Sequence, residues 1–148
     1  MAWKRALAFC WLGLGLFGCK DFGEVAEDSD WPAFAMNSMW TLYAFQLDGS
    51  PMQVPMGQVY WLFFESPTTF RAQSECNSCS GTCEVGRRNS IAFRVVMCTN
   101  ILCEPPTLDG IFRLALRRVS SYQYVYPGRI ILVGDNGKTV LSFFRNIR

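Results

Sequence analysis

The most informative absence in this sequence is histidine, which does not occur once in 148 residues. Without it, neither a Ser-His-Asp nor a Cys-His catalytic arrangement can form. The chain also lacks the commonest metal ligand and the usual proton shuttle at neutral pH. Paired carboxylates can hydrolyse glycosides, but the spacing of four scattered glutamates indicates no pair (Glu65, Glu75, Glu84 and Glu104). We therefore expect no enzymatic activity, no cofactor and no bound metal.

An excess of positive charge is also missing. The formal net charge is only +2, and Lys4 and Arg5 belong to a segment that we expect to be removed. Taking these two from the 14 basic residues leaves twelve, against 12 acidic residues. A nucleic-acid-binding protein needs a basic surface that displaces counterions from phosphates. Nucleic acid is therefore not an expected partner.

The N-terminal apolar run, Ala6–Phe17, is shorter than the roughly 20 residues that span a bilayer. A basic start followed by a short apolar core is typical of a secretory signal peptide, here residues 1–18. The run ends in Leu16-Phe17-Gly18-Cys19, which resembles the bacterial lipobox. The resemblance implies that Cys19 becomes the acylated first residue of the mature protein. The alternative is an ordinary signal peptide that Cys19 happens to follow.

Acylation of Cys19 would attach the protein to a membrane, because each buried methylene contributes about 0.8 kcal/mol and several chains add up. Lys20 stands where an Asp would favour retention in the inner membrane, so we expect the outer membrane of a bacterial cell envelope. The domain would face the periplasm. Residues 19–37 are acidic and contain few aliphatic side chains, which predicts a flexible linker. The folded domain is expected over residues 38–148.

Most of this domain has the alternating apolar pattern of β-strands. Eight predicted strands cover residues 40–47, 59–64, 68–72, 82–85, 90–96, 122–126, 129–133 and 139–144. Turn signals lie at Asp48-Gly49 and at Asp135-Asn136-Gly137. Residues 51–55 are predicted to form a loop.

One helix is predicted after Pro106, with Thr107 as its N-cap. Apolar residues recur at helical spacing from that point (Leu108, Ile111, Phe112, Ala115 and Val119). Asp109, Arg113 and Arg117 are expected on the opposite side. Together the elements predict an α+β fold in which a strongly curved antiparallel sheet, a half-barrel, packs on one α-helix.

The order of these features resembles the META domain, also called the HslJ-like domain, which is common in bacterial envelope lipoproteins. The resemblance covers roughly residues 38–146. It is carried by Trp40 with Leu42, Cys76-Asn77, Ser80-Gly81, Ile91 with Phe93, Thr99, Cys103, Ala115-Leu116 with Val119, Tyr122, Ile130-Ile131-Leu132, Asn136-Gly137 and Leu141-Ser142-Phe143. The sequence departs from the family pattern at Cys83, where a Tyr is usual.

Five cysteines lie within the 28 residues from Cys76 to Cys103, and three chemical roles are open to them. The spacing of two pairs would suit a zinc site of four thiolates. Alternatively, Cys76-Asn-Ser-Cys79 could be a redox dithiol, although such a pair normally begins a helix and β-prone residues follow here. The third role is structural, because exported thiols become disulfides.

A structural role agrees best with the expected export of the chain, and the family resemblance implies which cysteines form disulfides. Cys76 is expected to bond Cys103, and Cys79 to bond Cys98, so that both bridges staple the predicted hairpin segment. Each should contribute on the order of 3 kcal/mol in the chain-entropy model. Cys83 is then left over, and we expect it to be an unpaired, buried thiol; the alternative is that it competes as a partner in one of the bridges.

The resemblance implies a membrane-anchored, non-catalytic envelope lipoprotein that acts as an interaction or structural module, including under envelope stress. Its partners would be the membrane, through Cys19, and an envelope protein or lipid. The alternative is a carrier or chaperone that binds a lipid or an apolar peptide between helix and sheet, as similar half-barrel pilot lipoproteins do. The ligand-binding residues of such a carrier cannot be assigned from the sequence.

Overall fold

The computed structural model describes residues 35–125 and 127–146. The predicted signal peptide, the predicted lipid attachment residue Cys19 and nearly all of the predicted linker lie outside these residues. The strands are β1 (Met39–Leu47), β2 (Ser50–Met52), β3 (Tyr60–Ser66), β4 (Thr69–Ser74), β5 (Asn77–Gly86), β6 (Ser90–Cys98), β7 (Val119–Val125), β8 (Arg129–Gly134) and β9 (Thr139–Arg145). The helix α1 (Asp109–Arg118) lies between β6 and β7. Within the described residues, no helix has the length and apolarity that crossing a membrane requires.

The predicted α+β class, an antiparallel sheet with one helix, is confirmed, but the sheet closes into a barrel, so the expected half-barrel is wrong. Every neighbouring pair from β3 to β9 is antiparallel, and β1 pairs with both β3 and β9. The closing ladder runs from Trp40 opposite Arg145 to Gln46 opposite Val140. Closure satisfies the backbone groups that the two edges of an open half-barrel would expose. β2 is a short addition to β1, joined to it by the predicted Asp48-Gly49 turn, and it occupies part of a segment that was expected to be a loop.

The two ends of the barrel differ in what closes them. We call the end that carries Tyr60, Asn77 and Cys98 the helix end, because α1 lies across it. The opposite end, here the turn end, carries the β3–β4 turn at Pro67 and the β5–β6 turn after Gly86. Residues 35–38 enter the barrel at the turn end, since Met36 forms a bridge with Phe64.

Helix α1 packs its apolar face against the barrel, contacting β4, β6, β8 and β9. Phe112, Ala115 and Leu116 are fully buried there. The helix begins one residue later than predicted, with Leu108 at the N-cap, although the Thr107 hydroxyl accepts a hydrogen bond from the Asp109 amide at 3.0 Å. Asp109 was expected on the solvent side but is buried.

Candidate functional site

The cysteine-rich segment contains two disulfides, and both lie at the helix end. Cys76 is bonded to Cys103 with a Cα–Cα distance of 5.7 Å, and Cys79 to Cys98 at 4.0 Å. These are the pairs that the family resemblance implies. Cys79 and Cys98 lie directly opposite each other on β5 and β6, so strand register brings them together. The four sulfurs are therefore not available as zinc ligands or as a free dithiol.

Asn77 organises the loop that follows β6. Its fully buried side-chain oxygen accepts hydrogen bonds from the Thr99 hydroxyl and the Ile101 amide, both at 2.8 Å. Its side-chain nitrogen donates to the Ile101 carbonyl at 3.0 Å and lies 3.5 Å from the sulfurs of both Cys76 and Cys103. One amide side chain thus fixes the loop and packs against the disulfide. These contacts explain why Cys76-Asn77, Thr99 and Cys103 occur together among the residues that carry the family resemblance.

Tyr60 connects the start of β3 to the start of the helix. Its hydroxyl donates to Glu75 at 2.8 Å and accepts from the Leu108 amide at 2.9 Å. Burial is the main cause that raises the pKa of Tyr60 to about 12, and the neighbouring Glu75 raises it further, while the hydrogen bond from Leu108 lowers it. The phenol therefore stays protonated near neutral pH and acts as a structural hydrogen-bonding group.

Asp109 is held in the first turn of the helix by two partners. The Ser74 hydroxyl donates to one carboxylate oxygen, and Arg113 forms an ion pair with the other at 2.7 Å. The Nε atom of Arg113 is buried without a hydrogen-bond partner. No local pattern predicts the contact between Asp109 and Ser74, because these residues are 35 positions apart in the sequence.

Cys83 is the cysteine without a bridge among the described residues. It is buried at the turn end, where its thiol donates a 3.7 Å hydrogen bond to the Pro67 carbonyl. Burial raises the pKa of this thiol to about 11. The reactive thiolate is therefore scarce at neutral pH, which makes Cys83 a poor nucleophile.

The structure does not bring the four scattered glutamates together through a shared contact. Glu65 pairs with Arg71 at 2.6 Å, Glu84 with Arg94 at 3.4 Å, and Glu75 with Tyr60. Across residues 35–125 and 127–146, no three Cys, Asp or Glu side chains are placed to share a metal ion.

Two clefts open on the surface of the described residues. One, of about 530 Å³, opens beside β6 and the start of β7 and is lined by Arg94, Ile91 and Val119 among others. The other, of about 240 Å³, lies at the helix end between Leu102 and the helix residues Gly110 and Arg113. Both clefts are open to solvent, and the buried Asp109 with its partner Arg113 lines the smaller one.

Comparisons with solved structures agree with this fold. An NMR structure of a protein from Burkholderia xenovorans is 26% identical, aligns over 90% of this chain and 100% of its own, and has a TM-score of 0.64. A crystal structure of a DUF4847 family protein from Bacteroides vulgatus is 16% identical, aligns over 78% of this chain and 96% of its own, and has a TM-score of 0.58. At that identity the second similarity concerns the fold alone. No curated protein matches the sequence significantly.

The family assignment rests on the sequence as well as on the fold. The family model of the META domain matches residues 33–146, which include the whole barrel, the helix and both disulfides. The chain belongs to the META domain family.

Proposed function

We propose that this protein is a non-catalytic lipoprotein of the bacterial cell envelope, anchored through acylated Cys19, whose META domain acts as an interaction or structural module. The observation that carries the proposal is the pair of disulfides at the helix end. Disulfides persist in oxidising compartments such as the periplasm and are rare in the cytosol. A domain stapled in this way is suited to work outside the cytoplasm.

The N-terminal sequence supports the anchoring. Residues 1–18 have the order of a signal peptide, and the motif that ends at Cys19 resembles a lipobox. Several acyl chains on one residue hold a protein on a membrane stably, whereas a single chain does so only marginally. Lys20 favours the outer membrane over the inner one, with the domain facing the periplasm.

The chemistry of the described residues supports a non-catalytic role. Three side chains that could act as an acid, a base or a nucleophile are engaged in structure: Glu75 binds Tyr60, Asp109 binds Arg113, and Cys83 is buried as a thiol. The sequence contains no histidine to activate any of them. The proposed role is therefore to contact other envelope components and to help maintain the envelope, including under stress.

A carrier that holds a ligand between helix and sheet is less compatible with the packing. Phe112, Ala115 and Leu116 are fully buried in that interface, so a ligand would have to displace them. Native mass spectrometry of the purified protein tests this alternative. A lipid that copurifies at constant stoichiometry would favour the carrier over the module.

The anchoring is tested by metabolic labelling of cells with a clickable palmitate analogue. We expect the full chain to be labelled and to fractionate with the outer membrane, and the Cys19→Ser variant to lose the label. Cys10→Ser is the matched control, because it removes the other N-terminal cysteine and should leave labelling unchanged. An unlabelled, full-length chain in the cytosol whose thiols are all alkylated by iodoacetamide would overturn the proposal.

A further inference from the structure

The large apolar side chains that remain exposed are concentrated at one end of the barrel. Six of the eight exposed large hydrophobic residues that the structure describes lie around the helix end, and we call them the apolar rim: Met56, Val59, Met97, Ile101, Leu102 and Leu114. The other two, Tyr43 and Phe144, lie on the barrel wall and contact each other, with ring centroids 6.1 Å apart.

Two members of the apolar rim are loop tips that protrude into solvent. Met56, between β2 and β3, is 94% exposed, and Leu102, between β6 and α1, is 96% exposed. The two loops touch, since the Gln58 side chain donates to the Pro106 carbonyl at 2.7 Å. The rim therefore brings together segments that are distant in the sequence.

Two contacts of the loop hold Leu102 in its exposed position. Asn77 binds both the amide and the carbonyl of Ile101, and Cys103 is bonded to Cys76. The loop thus presents Ile101 and Leu102 from a fixed base.

Several ionic groups at the helix end are already paired, which limits the charge that an approaching surface would meet. Arg118 contacts Asp48 at 2.8 Å and Asp135 at 3.5 Å, and Arg113 pairs with Asp109. Arg117 is exposed on the helix and donates to the Val96 carbonyl beside Met97. Glu104 is the exposed acid on the loop that carries Leu102. Exposed charges of both signs therefore flank the rim, and the contact that it offers is apolar rather than electrostatic.

We propose that the apolar rim is a membrane-contacting surface, in which the tips at Met56 and Leu102 enter the interfacial layer of the membrane that anchors the protein. Protruding apolar tips suit this fluid layer, which extends about 5–10 Å below the headgroups. A partner protein would instead require a complementary, close-packed surface. The inference rests on the proposed anchoring at Cys19, because the tether places the domain beside a bilayer.

The segment between Cys19 and Ala35 is long enough for the helix end to reach the membrane, although Ala35 lies at the opposite, turn end. Fifteen residues separate Cys19 from Ala35, and they can extend to about 50 Å. A nine-residue strand such as β1 is roughly 30 Å long, so the helix end can fold back to the same membrane. Because the tether raises the local concentration of the rim near lipid, a weak contact is sufficient.

The test uses the full-length protein, processed and acylated in cells, in vesicles of phosphatidylethanolamine and phosphatidylglycerol that contain a diazirine-bearing phospholipid. After irradiation and digestion, mass spectrometry locates the attached lipid and also reads the acylation of Cys19. We expect labelling on the peptides that contain Met56 and Leu102. The double variant Met56→Ser, Leu102→Ser should lower rim labelling about tenfold. The matched wall variant Tyr43→Ser, Phe144→Ser should leave the labelling of the rim unchanged. Intact disulfides in each variant show that the variant is folded.

The outcomes separate this inference from the proposed function. Acylated Cys19 with an unlabelled rim overturns the membrane contact and leaves the anchoring intact. An unacylated chain whose rim is still labelled supports the contact and overturns the anchoring. If photo-leucine incorporated into the protein in cells cross-links position 102 to a second protein chain instead of lipid, the surface is assigned to protein binding and the inference is overturned.

Discussion

The two ends of the barrel are held together by different chemistry. At the helix end, two disulfides, the buried amide of Asn77 and the Tyr60 hydroxyl join segments that are remote in the sequence. At the turn end, Phe93 packs against Phe70 with ring centroids 4.9 Å apart and against Phe64 at 6.3 Å.

The same comparison explains why one sulfur stays reduced. Cys79 and Cys83 are both buried on β5, four residues apart. Strand register places Cys98 opposite Cys79 but Phe93 opposite Cys83. The neighbour across the sheet therefore decides which of these two cysteines is bonded.

The largest effect is expected at the turn end, from the loss of aromatic packing. Phe93→Ala should lower the free energy of unfolding by about 3–5 kcal/mol, because it leaves a cavity against Phe70 and Phe64. Urea denaturation measures the change. Phe144→Ala, an aromatic residue 41% exposed on the wall, is the matched control and should cost far less. If both variants lowered the free energy of unfolding equally, the aromatic cluster would not be what stabilises the turn end.

The next effect concerns the disulfides of the helix end. The double variant Cys76→Ser, Cys103→Ser should lower the free energy of unfolding by about 3 kcal/mol, since it frees a segment of 27 residues in the unfolded chain. Denaturation with and without a reductant gives the measurement. Reductant should destabilise the wild-type protein more than this variant, which retains only one bridge. A variant as stable as the wild type would show that the polar contacts of Asn77 suffice.

A smaller effect is expected from Asn77→Ala, which removes a hydrogen-bonding side chain but leaves both disulfides intact. The Ile101 amide then loses its acceptor, and we expect a cost of about 2 kcal/mol. Hydrogen exchange at Ile101 should accelerate in this variant. Asn100→Ala, an exposed neighbour in the same loop, is the control and should leave exchange at Ile101 unchanged. Unchanged exchange in Asn77→Ala would show that the disulfide alone holds the loop.

The smallest effect is a pH dependence at the turn end. Burial raises the pKa of Cys83 to about 11, so the unfolded chain loses this proton first as the pH rises above 9. Stability from this group is present below pH 9 and is lost as the pH rises toward 11. Urea denaturation at pH 8 and pH 10.5 should show a smaller alkaline loss in Cys83→Ala than in the wild type. Tyr60, whose pKa is raised to about 12, contributes a similar loss above pH 10 in both proteins. Identical alkaline losses would show that the Cys83 thiol is not protected by burial.

The helix shows how much of the site could be predicted. The spacing of Phe112 and Ala115 predicted the buried face because a helix brings residues three and four apart to one side. In that pattern, Asp109 lies on the side of the helix that was expected to face solvent. It is buried because Ser74 and Arg113 supply its hydrogen bonds, and only the fold brings Ser74 there.

Local chemistry in the sequence was enough to determine the order of the helix and of every strand except β2, and the turn at Asp48-Gly49, because these depend on residues close together in the chain. Closure of the barrel depended on the pairing of β1 with β9, about 100 residues later, which no local pattern specifies. The same holds for the hydrogen bonds of Asn77 and for the clustering of the apolar rim. These features were decided by tertiary structure, since each requires contacts between segments that only the folded sheet brings together.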